Sequence, residues 1–349
     1  MLWRNGAELE SVPEDRYRFG PGLVVSIQGD RRARAHFRSE YASAAVATDS
    51  SVPALEVNIG ARVHHRGHSR RVTHESELHG AHKLARWRAS MAIGRDLDHL
   101  GVAVDVRGPL GLTLVQGYVV EPLVSLAAVH AGSVLLPSAA IERDGKALLL
   151  IGHSRSGKSS LAARALAAGL RILGDDQVLI DASHDCHPFP RRLRVYPDLA
   201  WTAPAAFAKL RPFARGVLGA LRGLKSLTRG FVAPPLRISA SALGAGISST
   251  CLPIGEIVVI RRAPVDVLTI EPLDHDELGA DAEDVLRSQR SQIFSLAALR
   301  AASATVLARE RAIIGAALAT VPAQRVLVPA SWPADQAIGR LAQELRLER

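Results

Sequence analysis

Eight consecutive residues, Gly152, His153, Ser154, Arg155, Ser156, Gly157, Lys158 and Ser159, match the pattern GxxxxGK[ST]. The pattern serves phosphate binding. Its glycines let backbone amides turn inward onto phosphate oxygens. A helix opening at its end adds the positive end of its dipole. Lys158 is placed to reach the β- and γ-phosphates of a nucleotide, with Ser160 beside it in the first turn. The Ser159 hydroxyl is placed to ligate the Mg²⁺ that bridges those phosphates. The expected ligands are therefore ATP and Mg²⁺.

Phosphoryl transfer also asks for a carboxylate on the metal and a group to take a proton. Asp175 and Asp176 follow the apolar run 170–173, and Asp175 lies 17 positions after Lys158. That interval fits one helix and one short strand returning beside the loop. Adjacent residues of an extended chain point to opposite sides, so the two carboxylates can take different roles. We assign the proton to Asp175 and the metal to Asp176 with Ser159, the reverse order staying open.

These residues need elements to hold them. Residues 147–151 read as a strand entering the loop, and residues 159–168 as the helix leaving it, with Gly169 as a left-handed terminator. Residues 129–137 and 147–151 read as a β-hairpin turning at Asp144 and Gly145. Further strands are expected at 170–173, 177–181, 256–261 and 325–329, and helices within 276–317 and 333–347. Before this lies a separate region, 1–125. There, 22–27 and 112–120 read as strands and 75–99 as helical or mixed. Strands alternating with helices argue for an α/β architecture with a smaller N-terminal α+β region. The division expected is 1–125 and 126–349.

With these residues in view, the stretch VHAGSVLL…GKALLLIGHSRSGKSSLAARALAAGLRILGDDQVLI resembles the catalytic core of the HPr serine kinase family. More closely, it resembles the HPr-kinase-related proteins of bacterial peptide-modification clusters, whose nucleotide site is like that of phosphoenolpyruvate carboxykinase. The resemblance covers roughly residues 125–345. It implies a P-loop kinase domain and places the family's histidine at His130 and its acidic pair at Asp175 and Asp176. The segment PFPRRLRV resembles the family's Pro/Arg loop and points to Arg192, while EIVVIRR points to Arg261. Arg192 and Arg194 also share a strand face and are candidates to neutralise charge on a transferring phosphoryl group. The chain departs from the family at His153 and at Arg155, where glycine is usual. It lacks the signature associated with phosphorolysis, so neither phosphorolysis nor HPr as substrate is expected.

The rest of the composition narrows the class without choosing a substrate. The 349 residues carry a formal charge of +9, which favours polyanionic partners. From residue 199 to 255 there is no acid, and the segment carries Lys209, Arg211, Arg215, Arg222, Lys225, Arg229 and Arg237. It is a candidate docking surface for an acidic peptide, nucleic acid or anionic lipid. His64, His65, His68, His74, His79 and His82 lie among arginines and read as a solvated basic face rather than a metal site. Two cysteines, no leader-like start and no long apolar run suggest a cytoplasmic chain without a membrane span. By resemblance alone, a homo-oligomer is open.

The expected activity is transfer of the γ-phosphoryl group of ATP to a hydroxyl, a serine of a peptide or small protein, such as a ribosomal peptide precursor. A kinase for a small hydroxyl metabolite and a nucleotide-binding regulator without transfer are the alternatives.

Overall fold

The fold comes from a computed structural model that describes residues 13–47, 51–60, 72–82, 85–94, 97, 99–108, 110–229, 234–290, 294 and 296–348. His64, His65 and His68 lie outside them. The structure is mixed α/β, with two large mixed sheets.

The first sheet is built from β1 (Glu14–Phe19), β2 (Leu23–Gly29), β3 (Ala45–Val46), β4 (Leu55–Ile59), β5 (Val72–His82), β6 (Ala85–Gly94) and β7 (Leu100–Arg107). Its order is β3-β1-β2-β4-β7-β6-β5. Between β2 and β3 runs α1 (Arg31–Glu40), capped by Asp30, whose carboxylate accepts from the Ala33 amide at 2.7 Å. Within 75–99, expected to be helical or mixed, residues 75–82 and 85–94 instead form most of the antiparallel pair β5–β6. The reason is readable in β6: Ala85, Trp87, Ala89 and Met91 are buried while Arg86 and Arg88 are exposed, a period of two.

Residues 112–120 are helical, not a strand. α2 (Gly111–Val115) passes through a π-turn at Gln116–Val120 into α3 (Glu121–His130). A continuous apolar run has no periodicity to separate strand from helix, and here its 20-residue length decides. Gly111–His130 is long and apolar enough to cross a bilayer, but 72% of its apolar window is buried inside the protein. It packs between the first sheet and the β8 edge of the second. It also runs straight through residue 125.

The second sheet begins with β8 (Ser133–Leu136), β9 (Ser138–Arg143) and β10 (Lys146–Ile151). The hairpin turn falls at Asp144 and Gly145, with φ of +52° and +73°, the paired left-handed geometry that suits Asp-Gly. Its first strand is β9, paired from Arg143 to Ser138 with β10; β8 pairs elsewhere. After the 152–157 connection come α4 (Lys158–Ala167), β11 (Ile172–Gly174), β12 (Val178–Asp181), β13 (Asp185–His187) and β14 (Leu193–Val195). Then follow α5 (Leu199–Thr202), α6 (Pro204–Lys209), α7 (Pro212–Leu227), β15 (Leu236–Ile238), β16 (Leu252–Ala263) and β17 (Thr269–Pro272). The chain ends with α8 (His275–Arg290), α9 (Ala297–Leu318), β18 (Ala323–Pro329) and α10 (Ala334–Glu344).

Both faces of this sheet are covered. Along β10, Leu148 and Leu150 enter a core shared with α4, α6 and α10, while Ala147, Leu149 and Ile151 enter one shared with α8 and α9. A strand buried on both sides reads as a near-continuous apolar run, as this one does. β10 pairs antiparallel with β9 and parallel with β16; β9 pairs antiparallel with β11, and β16 parallel with β18. The carboxyl ends of β10, β11, β16 and β18 therefore share one edge of the sheet.

Candidate functional site

Ligands of open α/β sheets collect outside the carboxyl ends of their strands, where side chains and helix N-termini converge. The 152–159 loop and the acidic pair both lie there. β10 ends at Ile151, opposite Ser138, and β11 ends at Gly174, opposite Ala140, so both strands stop against the first residues of β9.

The loop is shaped by its backbone. Gly157 caps α4 at φ +104°, a conformation L side chains rarely adopt. A Cβ on Gly152 would lie 2.8 Å from the Ile260 carbonyl oxygen of β16, a close approach that leaves room only for glycine. Arg155 also stands at positive φ, +70°, with its side chain exposed. An L residue there is strained by about 1–2 kcal/mol. The backbone at this position thus favours glycine. His153 is exposed, and its Nε2 lies 2.9 Å from Asp284 Oδ2 on α8. The Ser156 amide closes the loop onto the His153 carbonyl at 3.2 Å. Ser154 is exposed.

Lys158 is 4% exposed. Its ammonium donates to the Gly152 carbonyl at 2.5 Å and the His153 carbonyl at 3.0 Å. Burial pushes its pKa down, against the charges of Asp176 and Asp175, which support it. Ser159 Oγ donates to the Asp175 main-chain carbonyl at 3.4 Å, which fixes the acidic pair against the first turn of α4. Ser160 turns aside to Thr202 Oγ1 at 3.3 Å. Lysine, serine and both aspartates are therefore brought together.

The organising residue of the pair is Arg191, which sequence reading passed over in favour of its neighbour. Arg191 is 4% exposed, and its guanidinium meets Asp176 at 2.6 Å, Glu121 at 2.9 Å and Asp175 at 3.8 Å. Arg192 faces the other way, onto Ser39 Oγ at 3.3 Å and the Arg237 carbonyl. Arg191 shares parity with the buried Leu193 and Val195, and that apolar alternation was the available signal. Arg194 reaches Glu121 at 3.2 Å. Glu121, 3% exposed, was missed because the run before it was read as a strand. A lone acid within an apolar run is itself a request for a buried counter-charge.

The environment splits the pair. Burial pushes the Asp175 carboxyl up to about 6, with Arg191 opposing and the Asp176 charge adding to the rise. Asp176, whose side chain is 32% exposed, also feels burial, but Arg191, Lys158 and Arg194 outweigh it and hold its pKa below the usual carboxylate value. Neighbouring carboxyls driven apart in this way are suited to separate acid–base and electrostatic roles.

Of the two further candidates, His130 lies away from the loop, while Arg261 follows Ile260, whose carbonyl closes on Gly152. His130 is exposed at the end of α3, where it lines a small pocket with Leu97, Leu126, Val129, Thr305, Val306 and Arg309. None of these belongs to the loop or the acidic pair. Arg261 sits beyond Val259, the β16 partner of Ile151, and its guanidinium pairs with Asp281 of α8. Asp281 is shared with Arg325 at 3.3 Å.

Two outcomes follow. The folded chain holds the Asp175 proton more tightly than an unfolded chain does, about 6 against 3.8. Stability should therefore fall as pH rises through that window, the native state binding the extra proton. Asp175→Asn should flatten this slope in urea unfolding without metal, since Arg191 keeps Glu121 and Asp176; an unchanged slope would contradict the assignment. Arg155→Gly should raise the unfolding midpoint by the equivalent of up to about 1 kcal/mol, because it relieves a left-handed side chain.

No protein-family model matches this chain, and a search of curated proteins finds no relative, so the chemistry of the site is read from its own residues.

Proposed function

We propose that the chain is an ATP-dependent kinase of the HPr-kinase-like P-loop type, acting on a hydroxyl, a serine of a peptide or small protein. The observation that carries the reading is the acidic pair held beside the lysine-bearing loop, with Ser159 bonded to the Asp175 carbonyl and Arg191 to Asp176. One carboxyl is poised near neutrality and the other is held ionised, within the field of one buried lysine.

The residues fit the two expected ligands. A polyphosphate suits a loop with glycine where a side chain would strike backbone, at the N-terminus of a ten-residue helix. Among the described residues no cluster of three or more His, Cys, Asp or Glu could hold a metal. Mg²⁺ does not require one, since it keeps water and phosphate oxygens and takes one or two protein carboxylates. Ser159 and Asp176 would hold it, and when bound it neutralises charge on the β- and γ-phosphates.

In this reading the chain's own groups do the following. Lys158 leaves the Gly152 and His153 carbonyls for phosphate oxygens and supplies positive charge where negative charge gathers. Asp175 accepts the proton of the acceptor hydroxyl as its oxygen bonds to the γ-phosphorus. The bond from that phosphorus to the β-bridging oxygen breaks, and ADP leaves with the electron pair. Arg191, fixed by Glu121, keeps Asp176 ionised.

Incubation with ATP, Mg²⁺ and serine-containing peptides should give acceptors heavier by ~80 Da, the mass of one phosphoryl group. Asp175→Asn should lower the transfer rate about 100-fold or more while ATP binding persists, as loss of a general base does. Tight ATP binding with no mass gain in any peptide or hydroxyl metabolite would overturn transfer and leave a nucleotide-binding regulator.

A further inference from the structure

The acid-free stretch 199–255 contains α7, and its faces are unusual for a surface helix. Ala214, Leu218 and Leu221 lie on one face and pack into the core beside α4 and α6. Phe213, Leu224 and Leu227 recur at 11 and 14 residues, close to whole turns, and form a second face. That face looks outward: Phe213 is 83% and Leu227 84% exposed, and Leu224 37%. Gly216, Ala220 and Gly223 lie between them, so the face is a straight ridge with bulky ends about 21 Å apart.

The third face is basic. Arg215 and Arg222 are seven residues apart, with Arg229 seven further on, just past the helix end. Arg211 precedes the first turn and Lys225 sits in the last. Among the described residues none of these five forms an ion pair with a carboxylate. Arg222 stacks instead over the Trp201 ring, 4.8 Å from its centroid. An ordinary solvated helix would carry polar groups where Phe213 and Leu227 stand, and carboxylates among its arginines.

We infer that α7 is an interfacial helix that docks the protein on an anionic phospholipid surface. Two features select this occupant. The charge to be matched is negative along the whole helix, with no carboxylate from residue 199 to 255 to weaken the attraction. The apolar element is a row of projecting side chains, not a groove. A peptide docked by its side chains needs a groove to enter, whereas a ridge enters a lipid layer directly. A helix with Phe and Leu on one face and Arg and Lys on another lies in the headgroup region with its apolar face in the acyl boundary. The inference does not depend on the proposed kinase activity.

The test is co-sedimentation of the full chain with vesicles of phosphatidylcholine alone or of phosphatidylcholine with phosphatidylglycerol. Binding is expected on the anionic vesicles, weakening as salt rises. Phe213→Ser with Leu227→Ser, and separately Arg215→Glu with Arg229→Glu, should each reduce that binding about tenfold or more. Thermal unfolding of both variants should match the parent, since the replaced side chains are exposed. Three results would overturn the inference: no binding to anionic vesicles, equal binding to both vesicle types, or full binding by the Phe213/Leu227 variant. Capture of a polyglutamate peptide by a chain that ignores vesicles would also overturn it, in favour of an acidic polypeptide partner.

Discussion

The site depends on one buried cation. A guanidinium taken out of water costs several kcal/mol unless it is surrounded by compensating charge. Arg191 is compensated by Glu121 and by the adjacent Asp175 and Asp176, which come from two separate segments of the chain. Its own protonation is raised well above the ordinary value by those carboxylates, against the effect of burial. The same guanidinium sets the difference between the two aspartates. It bonds Asp176 at 2.6 Å but stands 3.8 Å from Asp175, so it holds the first ionised and leaves the second to the effect of burial.

This constraint ties the two sheets together. Glu121 belongs to the helical run that packs between them, so the first hundred-odd residues contribute to the site rather than sitting beside it. The connection continues through polar side chains. Gln116 donates to Glu121 at 3.0 Å and accepts from Arg237 at 2.8 Å, and Arg237 pairs with Glu40 of α1 at 2.7 Å. Buried polar groups joined this way favour one arrangement, and in this network Arg191 Nε and Arg237 Nη2 are the buried nitrogens left without a hydrogen bond among the described residues. The 152–159 loop takes its position from a different source. β10 is held by β9 on one side and β16 on the other, with apolar cores above and below, and the loop begins where that strand leaves the sheet.

What the sequence revealed follows from which interactions are local. The loop, its helix, the Asp144–Gly145 turn and the Gly169 terminator depend on backbone conformations a few residues long, and all are legible in the chain. So are 170–173, 177–181 and 256–261, whose apolar runs lie between clear breaks. Residues 112–120 were misread because a helix buried or half-buried along its whole length loses the polar stripe that would announce it. Residues 75–99 were misread because histidines and arginines obscured the alternation of β6. Of the adjacent arginines Arg191 is the buried one: its parity with Leu193 and Val195 is a local signal, whereas its partner Glu121 arrives from another segment.

The proposed chemistry of the site turns on what the 152–159 loop binds. Calorimetric titration of ATP into the full chain with Mg²⁺ tests it most directly. One nucleotide per chain is expected, with affinity that falls sharply when Mg²⁺ is withheld and is lost in Lys158→Ala. No binding by the parent chain, or equal binding by Lys158→Ala, would contradict it.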